Sequence, residues 1–148
     1  MKWWSSGRTV TILERVYVAL GSNVGDRDGY LAMARRQLAS LPHTKLHSES
    51  TIEETEPLGP QPQGSYLNQM VLLETALTPR KLFDQCQQIE RAAGRERGIR
   101  WGPRTLDLDI VRYGDLVVNE SDLVIPHPEL PNRDFWQREI TELESHAR

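Results

Sequence analysis

Two predicted helices, each lying between runs of strand-forming residues, constrain the fold of this chain most. The first is predicted from about Tyr30 to Leu41, because apolar residues recur there every three or four positions and Pro42 follows. The second begins at Thr78, an N-cap residue followed by proline at the first helical position, and ends near Gly94. The segments around these two helices must therefore supply any strands of the fold.

Runs rich in β-branched and aromatic residues surround the two helices. They predict strands at Arg15–Leu20, Tyr66–Thr75 and Thr105–Tyr113, a weaker strand at His43–Glu54 and a short one at Leu116–Val118. Phe135, Ile140 and Leu143 have helical spacing and indicate a further helix near the end. The order is roughly β-α-β-β-α-β, followed by a short strand and a helix. It resembles a ferredoxin-like α+β sandwich, in which helices cover an antiparallel sheet.

A length of 148 residues fits one domain. We expect residues 1–14 to be an N-terminal extension and residues 15–148 to form a single domain. Thr55 to Gly64 holds three prolines and two glycines and is predicted to be a loop long enough to be functional. Arg95 to Arg104 is predicted to be an irregular basic loop.

The charge and cysteine content exclude several classes of protein. The net charge of −3 argues against a general binder of nucleic acids or membrane surfaces. No apolar run approaches the ~20 residues that a membrane helix needs, and the first fifteen residues do not resemble a secretory signal. The single cysteine, Cys86, cannot form an internal disulfide and is predicted to lie in the core, so a reducing cytoplasm is the expected compartment.

A pair of aspartates on the predicted strand Thr105–Tyr113 is the first candidate for chemistry. Side chains alternate across a strand, so Asp107 and Asp109 share one face, with attachment points roughly 7 Å apart. Carboxylates at that spacing can hold magnesium, although a lone Asp-x-Asp is more often a strand with one solvated face. The strand is directly preceded by a cluster of basic residues: Arg95, Arg97, Arg100 and Arg104. Arginines bind phosphate oxygens, so the combination indicates either a metal–nucleotide site or a set of surface salt bridges.

Further candidates are an aromatic residue, a polar pair and a histidine. Trp101 can stack on a planar heterocycle, or it can be an ordinary core tryptophan. Tyr66 and Asn68 share a strand face, and the amide of Asn68 can read an amide-like ring edge or simply satisfy the backbone. His127, between two prolines, can donate to a phosphate, or it can be structural.

The string Arg100–Ile110, RWGPRTLDLDI, is similar to the signature of the 6-hydroxymethyl-7,8-dihydropterin pyrophosphokinase family. Shorter matches occur in the same order along the chain, and the resemblance covers about residues 15–135: Ala19–Asn23, Pro57–Pro60, Tyr66–Asn68, Gln87–Glu90, Gly94–Arg95, Pro126–His127 and Asn132–Arg133 with Phe135. The resemblance implies the ferredoxin-like fold and a defined reaction. The family transfers a pyrophosphoryl group from ATP to the hydroxymethyl group of the pterin, which gives AMP, in folate biosynthesis.

The resemblance also implies which residues bind each substrate. Two Mg²⁺ ions would be held by Asp107 and Asp109, and the catalytic set would comprise both aspartates with Arg95, Arg97 and Arg104. The ATP site would comprise Gln87, Glu90, Arg104, Ile110, His127 and Arg133. The pterin site would comprise Gly21, Thr55, Leu58, Tyr66, Asn68, Trp101 and Phe135, with Trp101 and Phe135 on either side of the ring.

The sequence departs from the family pattern in several places. Glu56, Asp122, Val124 and Pro128 replace residues expected there, and the usual hydrophobic ending is replaced after Phe135. An alternative is therefore a diverged paralogue that binds pterin or nucleotide with an altered substrate or little turnover. A small RNA-binding domain is a third, weaker alternative. We expect ATP and 6-hydroxymethyl-7,8-dihydropterin as partners, no nucleic acid or membrane, and a monomer, with a dimer as the alternative.

Overall fold

The computed structural model describes residues 2–5, 8–56, 64–94 and 105–146, with side chains from residue 12 onward. Its strands are β1 (Lys2–Ser5), β2 (Arg8–Thr11), β3 (Glu14–Ser22), β4 (Thr44–Glu49), β5 (Glu53–Thr55), β6 (Tyr66–Thr75), β7 (Asp107–Tyr113), β8 (Val118–Asn119) and β9 (Val124–Ile125). Its α-helices are α1 (Arg27–Ala39), α2 (Pro79–Ala92) and α3 (Asp134–His146), and a short 3₁₀ helix covers Leu130–Asn132.

Five strands form one antiparallel sheet. Four of them lie side by side in the order β4-β6-β3-β7, and the fifth, β5, pairs with the first residues of β6 on the same side as β4. With α1 after β3 and α2 after β6, the chain order is the predicted β-α-β-β-α-β, which confirms the α+β class and is consistent with the ferredoxin-like fold. Strands β1 and β2 pair with each other, as do β8 and β9. The described residues include no helix long and apolar enough to cross a membrane.

The two faces of the sheet are covered by different helices. Val16, Val18 and Leu20 of β3 are buried in the main core, which also takes the apolar faces of α1 and α2. Ala19 alternates to the opposite face, where a second core contains Met70 and the apolar residues of α3. The period of two in β3 therefore gives each face its own core.

Most predicted elements are present, and their bounds differ for local reasons. Helix α1 begins at Arg27, three residues before the predicted start, because the side chain of Asp26 accepts a hydrogen bond from the Gly29 N–H and caps it. The weak strand predicted at His43–Glu54 is interrupted after β4, where the Ser50 hydroxyl accepts from the Met70 N–H. Strands β1, β2 and β9 were not predicted, and the short strand predicted at Leu116–Val118 is found at Val118–Asn119. The predicted loop at Thr55 to Gly64 lies largely, and the basic loop at Arg95 to Arg104 entirely, outside the described residues.

Candidate active site

A cavity of about 390 Å³ lies where residues of β3, β5, β6 and β7 meet α2 and the first turn of α3. Its lining combines small, aromatic, amide and carboxylate side chains: Ala19, Leu20, Gly21, Thr55, Glu56, Tyr66, Asn68, Phe83, Gln87, Glu90, Asp107, Leu108, Asp109, Arg133, Phe135 and Trp136. Ten of the residues that the sequence predicts for the active site line this cavity. The cavity has the size and mixed polarity of a small-molecule site.

The two aspartates of β7 both line the cavity and are half-buried. On the neighbouring strand, Gly21 pairs with Asp107 and Ala19 pairs with Asp109. Because these two partners have no side chain or only a methyl group, the cavity floor beside each carboxylate is open. The alternation of β7 thus places both carboxylates on the cavity side, while Leu106 and its alternate neighbours are buried.

The other side of Gly21 is occupied by Asn68, its partner on β6. A Cβ atom on Gly21 would lie 3.4 Å from Asn68 Oδ1 and 3.5 Å from Cδ1 of Tyr66. The amide nitrogen of Asn68 donates to the hydroxyl of Thr55, with 2.5 Å between Nδ2 and Oγ1. This bond fixes the amide plane, and the missing side chain at Gly21 leaves the amide oxygen accessible beside the aromatic ring of Tyr66.

Helix α2 supports the outer strand of the sheet through a carboxylate. Glu90, 7% exposed, accepts a hydrogen bond from the Leu108 N–H, with 2.8 Å between Oε2 and N. Leu108 lies between the two aspartates, so this bond fixes the backbone from which both project. Gln87 lies one turn earlier on α2 and also lines the cavity.

His127 lies beside the aspartate pair, with 3.6 Å between its Nε2 and Oδ1 of Asp109. Its Nδ1 accepts a hydrogen bond from the Glu129 N–H at 3.1 Å, which leaves the proton of a neutral imidazole on Nε2, facing the carboxylate. Arg133 lines the cavity with its guanidinium carbon 4.4 Å from the ring centroid of Trp136. Asp109 thus has an imidazole beside it, and the cavity lining includes one cationic group, Arg133.

Two described residues predicted for the site, His127 and Ile110, are not among the residues that line the cavity. The side chain of Ile110 is 5% exposed and packs in the main core, so only its backbone is available to a ligand. Five predicted residues lie outside the described part of the chain, and their assignments stay predictions: Leu58, Arg95, Arg97, Trp101 and Arg104. Sequence reasoning assigned no site role to Glu56, Phe83 or Trp136, which all line the cavity. For Trp136 the available signal was its helical spacing with Ile140 and Leu143.

The unexpected Asp122 lies in an ion pair on the surface. Its two oxygens accept from Arg80 at 3.0 and 2.9 Å, and Arg80 also pairs with Glu120. Hydrogen bonding to Arg80 holds the pKa of Asp122 below its usual range. The Arg80 guanidinium carbon lies 5.4 Å from the ring centroid of Phe83, a cavity residue. The charge of Asp122 is therefore compensated at the rim of the cavity.

A carboxyl pair lies behind the cavity, between β5 and α3. Glu139 is 1% exposed and faces Glu53, whose other oxygen accepts from Arg138 at 2.9 Å. Burial, together with the neighbouring Glu53, raises the pKa of Glu139 to about 9. Burial also opposes ionisation of Glu53, but hydrogen bonding from Glu139 and Arg138 outweighs it, and the pKa of Glu53 is lowered. At neutral pH the pair therefore holds one proton, on Glu139.

Comparison with known proteins defines the class of this chain as an ATP-dependent pyrophosphokinase. The model of the family described as 7,8-dihydro-6-hydroxymethylpterin-pyrophosphokinase matches residues 17–145, and the chain belongs to that family. A relative from Haemophilus influenzae, named 2-amino-4-hydroxy-6-hydroxymethyldihydropteridine pyrophosphokinase, is 44% identical over 119 residues, which are 80% of this chain and 74% of the relative. Relatives of the same name from Bacillus subtilis and Aquifex aeolicus are 40% and 37% identical and cover 86% and 87% of this chain and 76% and 79% of their own lengths.

Proposed function

We propose that the cavity is the active site in which this chain transfers pyrophosphate from ATP to 6-hydroxymethyl-7,8-dihydropterin, a step of folate biosynthesis. Family membership gives the enzyme class and makes ATP the co-substrate. The observation that carries the assignment to this cavity is the row formed across three strands by Asn68, Gly21 and Asp107. An amide suited to a heterocycle and a carboxylate suited to a metal–phosphate group flank one open position.

The carboxylate pair fits magnesium. Among the described residues there is no group of three or more His, Cys, Asp and Glu that could hold a metal, so the chain there offers a pair of carboxylates rather than a complete cage. Mg²⁺ suits such a pair because it keeps several waters and takes the remaining oxygens from substrate phosphates. We propose that Asp107 and Asp109 hold two Mg²⁺ ions, which supply charge neutralisation to the phosphates when bound.

The residues around the pair divide into two groups by chemistry. Thr55, Tyr66, Asn68 and Phe135, with Gly21, would form the pterin half, since they provide one oriented amide and two aromatic rings. Gln87, His127 and Arg133 would form the nucleotide half, since amide, imidazole and guanidinium donors suit phosphate oxygens and His127 lies beside Asp109. Phosphoryl-type transfer depends mainly on positioning and electrostatic stabilisation, so the proposal needs no strong protein base.

The proposal also covers the compartment, the oligomeric state and the extent of the catalytic domain. We propose a cytoplasmic monomer with residues 15–148 as the catalytic domain and residues 1–14 as an extension, acting on small molecules without nucleic acid or membrane partners. The reducing compartment is proposed because Cys86 is the single cysteine of the sequence and cannot form an internal disulfide. Its side chain is buried, and burial raises the pKa of the thiol. The arginines Arg95, Arg97 and Arg104, with Leu58 and Trp101, complete the proposed site by resemblance alone.

The test is a reaction of the purified chain with ATP, Mg²⁺ and hydroxymethyldihydropterin, followed by measurement of AMP. We expect AMP and pterin diphosphate in equal amounts, and no product when Mg²⁺ is chelated. The alternative of a diverged paralogue predicts binding of pterin or nucleotide without AMP. Absence of both binding and AMP release would contradict the proposal.

A further inference from the structure

Trp136 contacts three of the predicted site residues at once. It is 2% exposed, belongs to the second core and lines the cavity from the first turn of α3. Its ring lies 4.4 Å from the guanidinium carbon of Arg133, 4.9 Å from the imidazole centroid of His127 and 6.3 Å from the ring of Phe135. None of the assignments derived above from the sequence gives this residue a role.

The contact with Arg133 involves a guanidinium group whose Nε lacks a hydrogen-bond partner among the described residues. This Nε atom is also buried. A guanidinium on a long, flexible stem is oriented by its partners, and stacking on an indole ring is the strongest of its aromatic contacts. The backbone sets this pair, because the Trp136 N–H donates to the Arg133 carbonyl at 3.1 Å and brings the two residues onto one side of the turn.

The contact with His127 limits rotation of the imidazole. The two rings meet edge to face, with an angle of 88° between their planes. The Glu129 N–H holds Nδ1 from the opposite end, as described above, so the ring is fixed between a hydrogen bond and an aromatic wall. In this orientation Nε2 lies 3.6 Å from Oδ1 of Asp109.

We propose that Trp136 is a positioning residue of the nucleotide half: it fixes the plane of the Arg133 guanidinium and the orientation of the His127 imidazole for contact with the phosphates of ATP. The inference rests on the proposed function and deepens it. Trp136 acts here through its two neighbours, so its effect on nucleotide binding depends on their presence. A residue that only fills the second core would have no such dependence.

The experiment is a double-mutant cycle with Trp136→Leu, Arg133→Ala and the double variant, read by titration calorimetry with a non-hydrolysable ATP analogue and Mg²⁺. Ile140→Ala is the matched control, since Ile140 lies one turn further on α3 in the same core and is 3% exposed. We expect Trp136→Leu to weaken analogue binding roughly three- to thirtyfold, the range of a cation–π contact. Ile140→Ala should leave it unchanged. In the Arg133→Ala background the loss should shrink, because only the part that acts through His127 remains.

Three results of this cycle would overturn the inference and leave the proposed function intact. The first is Trp136→Leu binding as the Ile140→Ala control does, and the second is an equal loss with and without Arg133. The third concerns Trp136→Phe, which replaces Trp136→Leu in the cycle if the leucine variant does not fold. If the binding losses of Trp136→Phe and Arg133→Ala are then fully additive, Trp136 does not position Arg133. Wild-type protein that binds no analogue and releases no AMP would overturn the proposed function itself, and this inference with it.

Discussion

Replacement of Glu139 by glutamine should change how the stability of this protein depends on pH. The pKa of Glu139 is about 9 in the folded chain against an ordinary value of 4.5, so between these values the folded state holds one proton more than the unfolded state. Stability from this group is complete below pH 4.5 and is lost as the pH rises towards 9. The pKa of Glu53 is lowered, so the contribution of this group to stability changes with pH in the opposite direction. That contribution is present at neutral pH and is lost only as the pH falls into the acid range.

The magnitude follows from the proton count. One extra bound proton gives a slope of about −1.4 kcal/mol in the unfolding free energy for each pH unit. Between pH 6.5 and pH 8.5 the wild type should therefore lose about 2–3 kcal/mol relative to Glu139→Gln. The glutamine amide can still donate to Glu53 but does not titrate. Both oxygens of Glu139 are buried, so water does not offset the cost of ionising the carboxyl group there.

The assay is urea unfolding of both proteins at closely spaced pH values across that window. Glu144→Gln serves as the matched control, since Glu144 is exposed on the same helix and its variant should run parallel to the wild type. Parallel curves for the wild type and Glu139→Gln would refute the reasoning, because they would mean that Glu139 is ionised in the folded protein at neutral pH.

The remaining predictions concern the site. Asp109→Asn should lower kcat roughly a hundredfold or more while the circular dichroism spectrum is retained, because the metal proposed at this pair would supply charge stabilisation worth several kcal/mol; Asp115→Asn, in an exposed turn, should keep full AMP release. Glu90→Ala should cost about 1.5–3 kcal/mol in urea unfolding, because the buried Leu108 N–H loses a charged acceptor, whereas Glu90→Gln keeps an oxygen there and should cost less. Gly21→Val should raise the KM for the pterin roughly tenfold or more by overpacking the cavity floor; an unchanged KM would place the pterin elsewhere.

The elements with strong local signals were predictable from the sequence. Strand β6 has the bounds predicted for it, Tyr66–Thr75, and α2 begins at Pro79 as the N-cap and proline indicate. The same alternation that predicts β7 predicts which side its aspartates face. Local pattern was enough in these cases because burial on one face follows directly from the period of the element.

The parts that depend on distant contacts were not predictable in this way. The break after β4 depends on the hydrogen bond between Ser50 and Met70, twenty residues apart in sequence. Pairing of Asp122 with Arg80 joins segments 42 residues apart, so a sequence comparison alone showed an unexpected negative charge and not its compensation. The role of Trp136 depends on how α3 packs against the sheet, and spacing along a helix does not specify that.

The packing of α3 also has a consequence for damaged or shortened forms of the chain. This single helix of 13 residues covers a sheet face that includes Ala19, Met70, Leu72 and Val111. A chain interrupted before Trp136 would expose that face as a flat apolar β-surface, the type of surface on which proteins aggregate. We therefore expect truncation before Trp136 to make the chain insoluble. Such variants should be found in inclusion bodies rather than as inactive soluble protein.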